Sequence, residues 1–291
     1  MKKAIVANVT FEIDSGRSFG IIGLPGSGIS TLVHLILRES SPDAGEILLD
    51  GRNASQIPMD EFRLMIRHVL CDPRPKLDYS KTFLEILEES SRRGPWESRN
   101  KTELAEIAKK IQETLNMRRD PNSKLDWYSN DYDSLRKVEL AVALVSAPRL
   151  IILGQYLGSS DKEREETLGV LNTTKSTFDL AYILSGGHLA RIGQVCDRVA
   201  TMFLGRIVEI RESVIKEPRH PYSLCLSFFE EKQGAPNKEY LNLASNLSLL
   251  HDTPGCPFHP FCPLAMEICT RKEPAMQEIA GNHWVACHLV S

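Results

Sequence analysis

Gly23-Leu24-Pro25-Gly26-Ser27-Gly28-Ile29-Ser30-Thr31 is a glycine-rich run between two apolar stretches, Arg17 to Ile22 before it and Leu32 to Leu37 after it. The flanks read as a short buried strand entering the run and the apolar start of a helix leaving it. Glycines in such a loop let consecutive backbone N–H groups curl around phosphate oxygens, and a Ser/Thr hydroxyl at the helix start can hold a magnesium ion. The spacing is that of a phosphate-binding loop, with one substitution. Where a lysine normally reaches the outer phosphates, the chain has Ile29. Gly23, Gly26, Gly28, Ser30 and Thr31 are the candidate nucleotide-contacting residues, and the cation that would assist them is missing. The competing reading is an ordinary Gly/Pro turn between strand and helix.

The rest of the chain narrows the setting. It has 291 residues, enough for one large or two modest domains. Charged residues are 25% of the chain and the formal net charge is −3, which leaves no general basic footprint for nucleic acid. No uninterrupted apolar stretch approaches the roughly 18 residues of a membrane span. Met1-Lys2-Lys3-Ala4 leads into a strand-like pattern, not into the apolar region of a signal peptide. These features predict a cytoplasmic chain that meets a membrane only through a partner and has no nucleic-acid partner.

Residues 4 to 50 alternate as strands around the loop and end at Gly45-Glu46-Ile47-Leu48-Leu49-Asp50-Gly51, a strand closed by a turn. From about 60 to 125 the chain turns polar and helical, with Leu84, Ile86 and Leu87, then Leu104, Ile107, Ile111 and Leu115, at helix spacing. Ser134 to Val145 reads as a helix, Pro148 to Leu153 and Leu180 to Leu184 as buried strands of a parallel sheet, and Val199 to Phe203 as a strand that turns back into Ile207-Val208-Glu209. From about 215 onward Pro, His and Cys become dense and periodicity fades, which suggests a separate small region.

Seven cysteines are present. Cys71, Cys196 and Cys225 are scattered, whereas Cys256, Cys262, Cys269 and Cys287 crowd the C-terminal end. A reducing cytosol makes disulfides unexpected there. Four thiolates at such spacings suit tetrahedral zinc or a four-iron cluster, and spacing alone favours zinc. His259, His283 and His288 stand close enough in sequence to replace one ligand. Four buried free cysteines are the plainer alternative.

The order of segments resembles the ATP-binding subunits of ABC importers for oligopeptides and dipeptides over nearly the whole chain. The resemblance is carried by Gly23 to Thr31, Ser41-Pro42-Asp43-Ala44-Gly45-Glu46-Ile47, Asp72-Pro73, Ala147-Pro148-Arg149-Leu150-Ile151-Ile152, Cys196-Asp197-Arg198-Val199-Ala200 and Gly205-Arg206-Ile207-Val208-Glu209. Pro218-Arg219-His220-Pro221-Tyr222, Gly255-Cys256-Pro257-Phe258-His259-Pro260 and Val285-Ala286-Cys287-His288 are similar to the C-terminal extension of the peptide-type importers. The resemblance implies an α/β fold of the P-loop NTPase class, ABC type, with a mixed β-sheet core. It divides the chain into a nucleotide-binding domain at 1–215, with a helical insertion at about 75–145, and a small cysteine-rich metal-binding extension at 216–291. It also implies a 4Fe-4S cluster on Cys256, Cys262, Cys269 and Cys287, with zinc as the alternative.

Against that family pattern the chemistry is depleted. Counting back from Pro148, the LSGGQ signature falls on Asn130-Asp131-Tyr132-Asp133-Ser134, where two carboxylates would face a phosphate. The Walker B acids fall on Gly154 and Gln155, which can neither organise Mg²⁺ nor accept a proton from water. The γ-phosphate-sensing glutamine becomes Cys71, and the switch histidine falls on Gly187, with His188 one place late. Such losses within one catalytic unit imply weak or lost ATP/Mg binding and no intrinsic hydrolysis.

The resemblance therefore implies a degenerate subunit of a peptide-importing ABC complex, peripheral on the inner (cytoplasmic) membrane. Its partners would be a second, active ATP-binding subunit, two permease subunits and, indirectly, a periplasmic or surface solute-binding protein. A non-transport regulatory or binding protein that keeps the fold and the metal-bearing tail is the alternative, and a weak ATPase using Ser30 and Thr31 is a third.

Overall fold

β1 (Ser18–Ile22) is buried at all five residues, as expected of an apolar strand in a sheet interior. In the computed structural model it belongs to the first of two compact units, formed by residues 1–13, 18–36 and 185–291; the second comprises 14–17 and 37–184. The structure describes residues 5–69, 77–91, 101–118, 120–125, 132–154, 161–186, 192–193, 195–212, 217–231 and 254–290.

In the first unit β1 pairs in parallel with β7 (Arg198–Phe203), Phe19 opposite Arg198 and Ile22 opposite Thr201. A turn at Leu204-Gly205 reverses β7 into β8 (Arg206–Glu212), antiparallel to it. β8 then pairs antiparallel with β10 (His283–Val285), which pairs with β9 (Gln277–Ala280). The cysteine-rich tail thus joins the phosphate-loop strand's own sheet through backbone hydrogen bonds. This unit also holds α1 (Ile29–Ile36), directly after the loop, and α7 (Pro221–Glu231), with short 3-10 turns in the tail.

The second unit holds a two-stranded hairpin, β2 (Leu48–Leu49) with β3 (Arg52–Asn53), and then α2 (Met59–Met65). β4 (Ile66–Val69) follows and pairs in parallel with β5 (Leu150–Gly154), Ile66 opposite Leu150 and Val69 opposite Leu153. β6 (Ala181–Gly186) lies beside β5. The helical insertion is α3 (Phe83–Ser91), α4 (Lys101–Thr114) and α5 (Tyr132–Leu144). Thr82 and Glu85 form a reciprocal cap at the start of α3: Thr82 N–H donates to Glu85 Oε2 at 2.7 Å and Glu85 N–H to Thr82 Oγ1 at 3.2 Å. Phe83, Leu87, Ile111, Leu115, Leu135 and Val138 are fully buried among these helices. α6 (Asp161–Phe178) leads into β6.

Three sequence expectations change. The polar stretch at 60–125 contains β4: Arg67 and His68 hide a strand whose apolar ends, Ile66 and Val69, are buried. Residues 5–17 carry no strand among the described residues; Phe11 instead stacks on Phe19, ring centroids 4.7 Å apart and nearly parallel. The fading periodicity after 215 conceals α7 and the β9–β10 hairpin.

β1 is anchored at its first residue. Ser18 N–H and hydroxyl both donate to Asp197 Oδ2 at 2.7 Å, and Asp197 N–H returns a bond to Ser18 O at 2.9 Å. Removing the carboxylate takes the acceptor from Ser18 N–H and leaves its hydroxyl the longer bond to Val195 O at 3.2 Å. Asp197→Ala is expected to cost about 2 kcal/mol, seen as a lower urea midpoint with an unchanged m-value.

Candidate functional site

The glycine-rich run forms a loop between β1 and α1. Gly26 and Gly28 lie at φ +86° and +98°, and a Cβ on Gly28 would press on the Gly205 backbone and the Met202 side chain. Gly23 passes so close to the Met202 carbonyl oxygen and to Ser27 that a side chain there would collide with both. Gly205 N–H donates to Ser27 O at 2.7 Å, and Ser27 N–H closes a turn onto Leu24 O at 3.0 Å. Ser27 is buried, and its hydroxyl has no hydrogen-bond partner among the described residues. Ser30 is exposed and Thr31 half-buried at the first turn of α1, whose leading N–H groups have no partner within the helix. Ile29 is half-buried beside them. All five candidate residues therefore sit in one loop and helix start, a backbone cradle with hydroxyls and no cation of its own.

The loop's second residue is held from the far end of the chain. Leu24 N–H lies 2.9 Å from the hydroxyl oxygen of Tyr222, which accepts its hydrogen bond. Tyr222 is fully buried on the first turn of α7. Pro221 occupies the first helical position, where a missing N–H costs nothing, and His220 Nδ1 caps the helix by accepting Tyr222 N–H at 3.1 Å. Glu209, fully buried on β8, accepts Arg219 N–H at 2.8 Å and His220 N–H at 3.3 Å. His283 Nε2 on β10 is 2.7 Å from the same carboxylate. In the Nε2–H tautomer His283 donates to this carboxylate.

Beside this cap lies a pocket lined by Cys256, Cys262, Cys269 and Cys287 together with His220 and Phe258. Cys256 N–H donates to Cys269 O at 2.8 Å and ties the first and third cysteine loops together. The preceding residue must be glycine: at φ +76° a Cβ on Gly255 would run into the Cys269 carbonyl. Three of the thiols receive a backbone N–H from the residue two further on, Cys256 from Phe258, Cys262 from Leu264 and Cys287 from Leu289. Burial nevertheless pushes the Cys256 thiol up to about 11 and raises Cys262 and Cys287, with neighbouring cysteines adding to the rise. These thiols are protonated near neutrality, so a metal would displace protons on binding. Among the described residues no group of three or more His, Cys, Asp or Glu side chains is drawn together tightly enough to hold a metal ion. His283 is committed to Glu209; His259 and His288 line the pocket with one ring nitrogen each on a backbone carbonyl, that of Cys256 at 2.9 Å and that of Lys272 at 2.8 Å.

Residues 6–154 match the family model for the ABC transporter, about half of the chain. The chain belongs to the ABC transporter family. Residues 208–269 match a second model, the oligopeptide/dipeptide transporter C-terminal region, which takes in Tyr222 and three of the four pocket cysteines. The oligopeptide transport ATP-binding protein AppF of Bacillus subtilis is 28% identical over 299 residues, covering 98% of this chain and 89% of that protein. Among solved structures, cbiO1 from Clostridium perfringens, part of the ABC transporter complex cbiONQ, superposes with a TM-score of 0.65 at 18% identity, over 72% of this chain and 82% of its own. An ATP-binding subunit of an ABC transporter gives 0.60 at 20% identity, covering 83% and 93%. The fold is therefore that of the P-loop ABC ATPases, as the loop and segment order predict.

Other family positions fare unevenly. Gly154 is the half-buried last residue of β5, and Ser134 lies in α5. Cys71, Asn130, Asp131, Gln155, Gly187 and His188 lie outside the described residues, as do the side chains of Tyr132 and Asp133. Tyr222, His220 and Glu209 are the site residues that sequence reading did not single out. Their signals were the Gly205-to-Glu209 and Pro218-to-Tyr222 motifs, which carry no hint of a target in the loop.

Burial pushes His220 down to about 4. An unfolded histidine protonates near 6.5, so between those values only the unfolded chain takes up the proton. The contribution of this residue to stability is whole above pH 6.5 and is lost as the pH falls toward 4. From pH 7 to 5 the native protein is expected to lose about 2 kcal/mol on this account. His220→Asn keeps a cap acceptor without titrating, and its thermal unfolding should show a shallower acid slope.

Proposed function

We propose that this chain is the ATP-binding-type subunit of an ABC complex that imports peptides, working as a catalytically degenerate partner of an active ATPase subunit. One observation carries the reading: a phosphate loop and a tail of the oligopeptide/dipeptide transporter type occupy the same compact unit and are bonded to each other through Tyr222 and Leu24. AppF, named for oligopeptide transport, matches along nearly the whole chain and supports the same assignment. Among the described residues no helix is long and apolar enough to cross a membrane. Two permease subunits would supply the membrane path and hold this chain at the inner face, and a solute-binding protein outside would deliver the peptide.

Degeneracy rests on the residues that stand where the family's reacting groups belong. Ile29 offers no charge to the outer phosphates, and Gly154 offers no carboxylate to a magnesium ion. What this chain's own residues can do is bind: backbone N–H groups at the start of α1 would face an anion placed in the loop, and Ser30 and Thr31 could hydrogen-bond to it. The purified chain is expected to hydrolyse ATP no faster than its Gly28→Asp variant, and to co-purify with permease and ATPase subunits when co-expressed. Turnover above that control sinks the degenerate assignment; a soluble chain that captures no permease sinks the transport assignment.

The pocket thiols support a 4Fe-4S cluster on Cys256, Cys262, Cys269 and Cys287. Four thiols about one pocket, three of them receiving backbone N–H groups, form a donor set suited to thiolate ligation, and hydrogen bonds to the sulfurs tune such centres. The preference for the cluster over zinc comes from the likeness of this tail to the oligopeptide/dipeptide transporter C-terminal region; by spacing alone zinc is the stronger candidate. The cluster would tie together a tail segment with little apolar core. Anaerobically purified protein should contain about four iron atoms per chain and absorb in the visible; stoichiometric zinc without iron would overturn this.

A further inference from the structure

We propose that Tyr222 is a positioning residue for the phosphate loop, and that the cysteine pocket controls the order of that loop through Phe258 and Tyr222. The proposal rests on the nucleotide-subunit reading for its significance, but its physical content is independent of whether nucleotide binds.

The path is short and buried throughout. Phe258 stands between Cys256 and Cys262 in sequence, is 1% exposed and forms part of the pocket wall. Its ring centroid is 5.4 Å from that of Tyr222 and 5.4 Å, edge-on, from that of Phe203. Tyr222 and Phe203 are themselves 4.6 Å apart. Three interlocked aromatic rings leave Tyr222 no room to turn independently of Phe258, because interiors are packed at crystal density. His220 and Pro221, the two residues before Tyr222, also line the pocket. The tyrosine is thus clamped to the pocket through its ring on one side and through its backbone on the other. Its hydroxyl accepts the loop's Leu24 N–H at 2.9 Å.

That bond selects the loop conformation. Leu24 is buried, so without Tyr222 its N–H would be an unsatisfied buried donor, and the loop would have to shift to expose it. With the bond made, Leu24 O is set to accept Ser27 N–H and the glycines beyond it hold their left-handed φ values. Metal held by the pocket thiols would add a constraint on Phe258, and through it on Tyr222, and its removal would release both. The coupling is a free energy between two places in one unit, so it must appear in both directions: anion binding at the loop should in turn protect the tail.

The test is amide hydrogen exchange on the full chain, read at Leu24 and, as an internal control, at the Cys256 N–H that donates to Cys269 O. Tyr222→Phe keeps the ring and removes only the hydroxyl; it should speed Leu24 exchange about tenfold or more, the loss of one buried bond of about 1.4 kcal/mol, while Cys256 exchange and metal content stay as in the native protein. Phe258→Leu should speed Leu24 exchange without removing any thiol. Stripping metal with a chelator should speed Leu24 exchange in the native chain and add nothing in Tyr222→Phe. Unchanged Leu24 exchange in Tyr222→Phe overturns the positioning role, and unchanged exchange in Phe258→Leu, or equal chelator effects in both backgrounds, overturns the coupling. Binding of the fluorescent nucleotide mant-ATP is measured alongside. Failure of the native chain to bind it would reject the nucleotide reading and leave the exchange result to decide this one.

Discussion

The carboxylate of Glu209 is the constraint on which the rest of the first unit depends. A buried carboxylate without partners costs several kcal/mol, so the chain around it has to supply donors. It does so from two directions, His283 on β10 and the N–H groups of Arg219 and His220 ahead of α7. The first brings the tail hairpin against β8, and the second sets the entry angle of α7. Everything nearer the loop is downstream: His220, fixed by Glu209, caps the helix; the cap sets Tyr222; Tyr222 sets Leu24.

This arrangement changes how the tail should be regarded. A cysteine-rich extension attached by a linker would be free to differ from its parent domain in stability and in fate. Here β10 continues the ladder from β8, and the pocket wall shares Phe258 with the aromatic cluster under the phosphate loop. Packed rings and a buried hydrogen bond join the pocket wall to the loop along that path. Whatever the chemistry of its loop, the chain has reason to keep loop and tail in register, because the two share one compact unit.

Much of this was legible in the residue order. The contiguous glycines at 23, 26 and 28 announced the loop, and apolar runs announced β1, β5, β6, β7 and β8, since a strand buried on both faces needs no alternation to be seen. β4 escaped because four residues with Arg67 and His68 at their centre offer no pattern distinct from the helices on either side. α7 and the β9–β10 hairpin escaped because they are short and rich in His, Pro and Cys, and gain their stability from contacts with β8. The cysteines were found by spacing, and all four line one pocket. Spacing could not reveal that His283, in the same stretch, belongs to Glu209 and not to the thiols.

By itself the sequence determined what is local: where backbone can take left-handed φ, which segments bury apolar side chains, which positions carry charge and that position 29 does not. These follow from the covalent character of neighbouring residues, which any conformation inherits. Only the tertiary structure decided that Tyr222 completes a loop 198 residues away and that Glu209 orders the tail. Hydrogen bonds of that reach depend on strand register and on helix entry angle, and neither is written in any one segment.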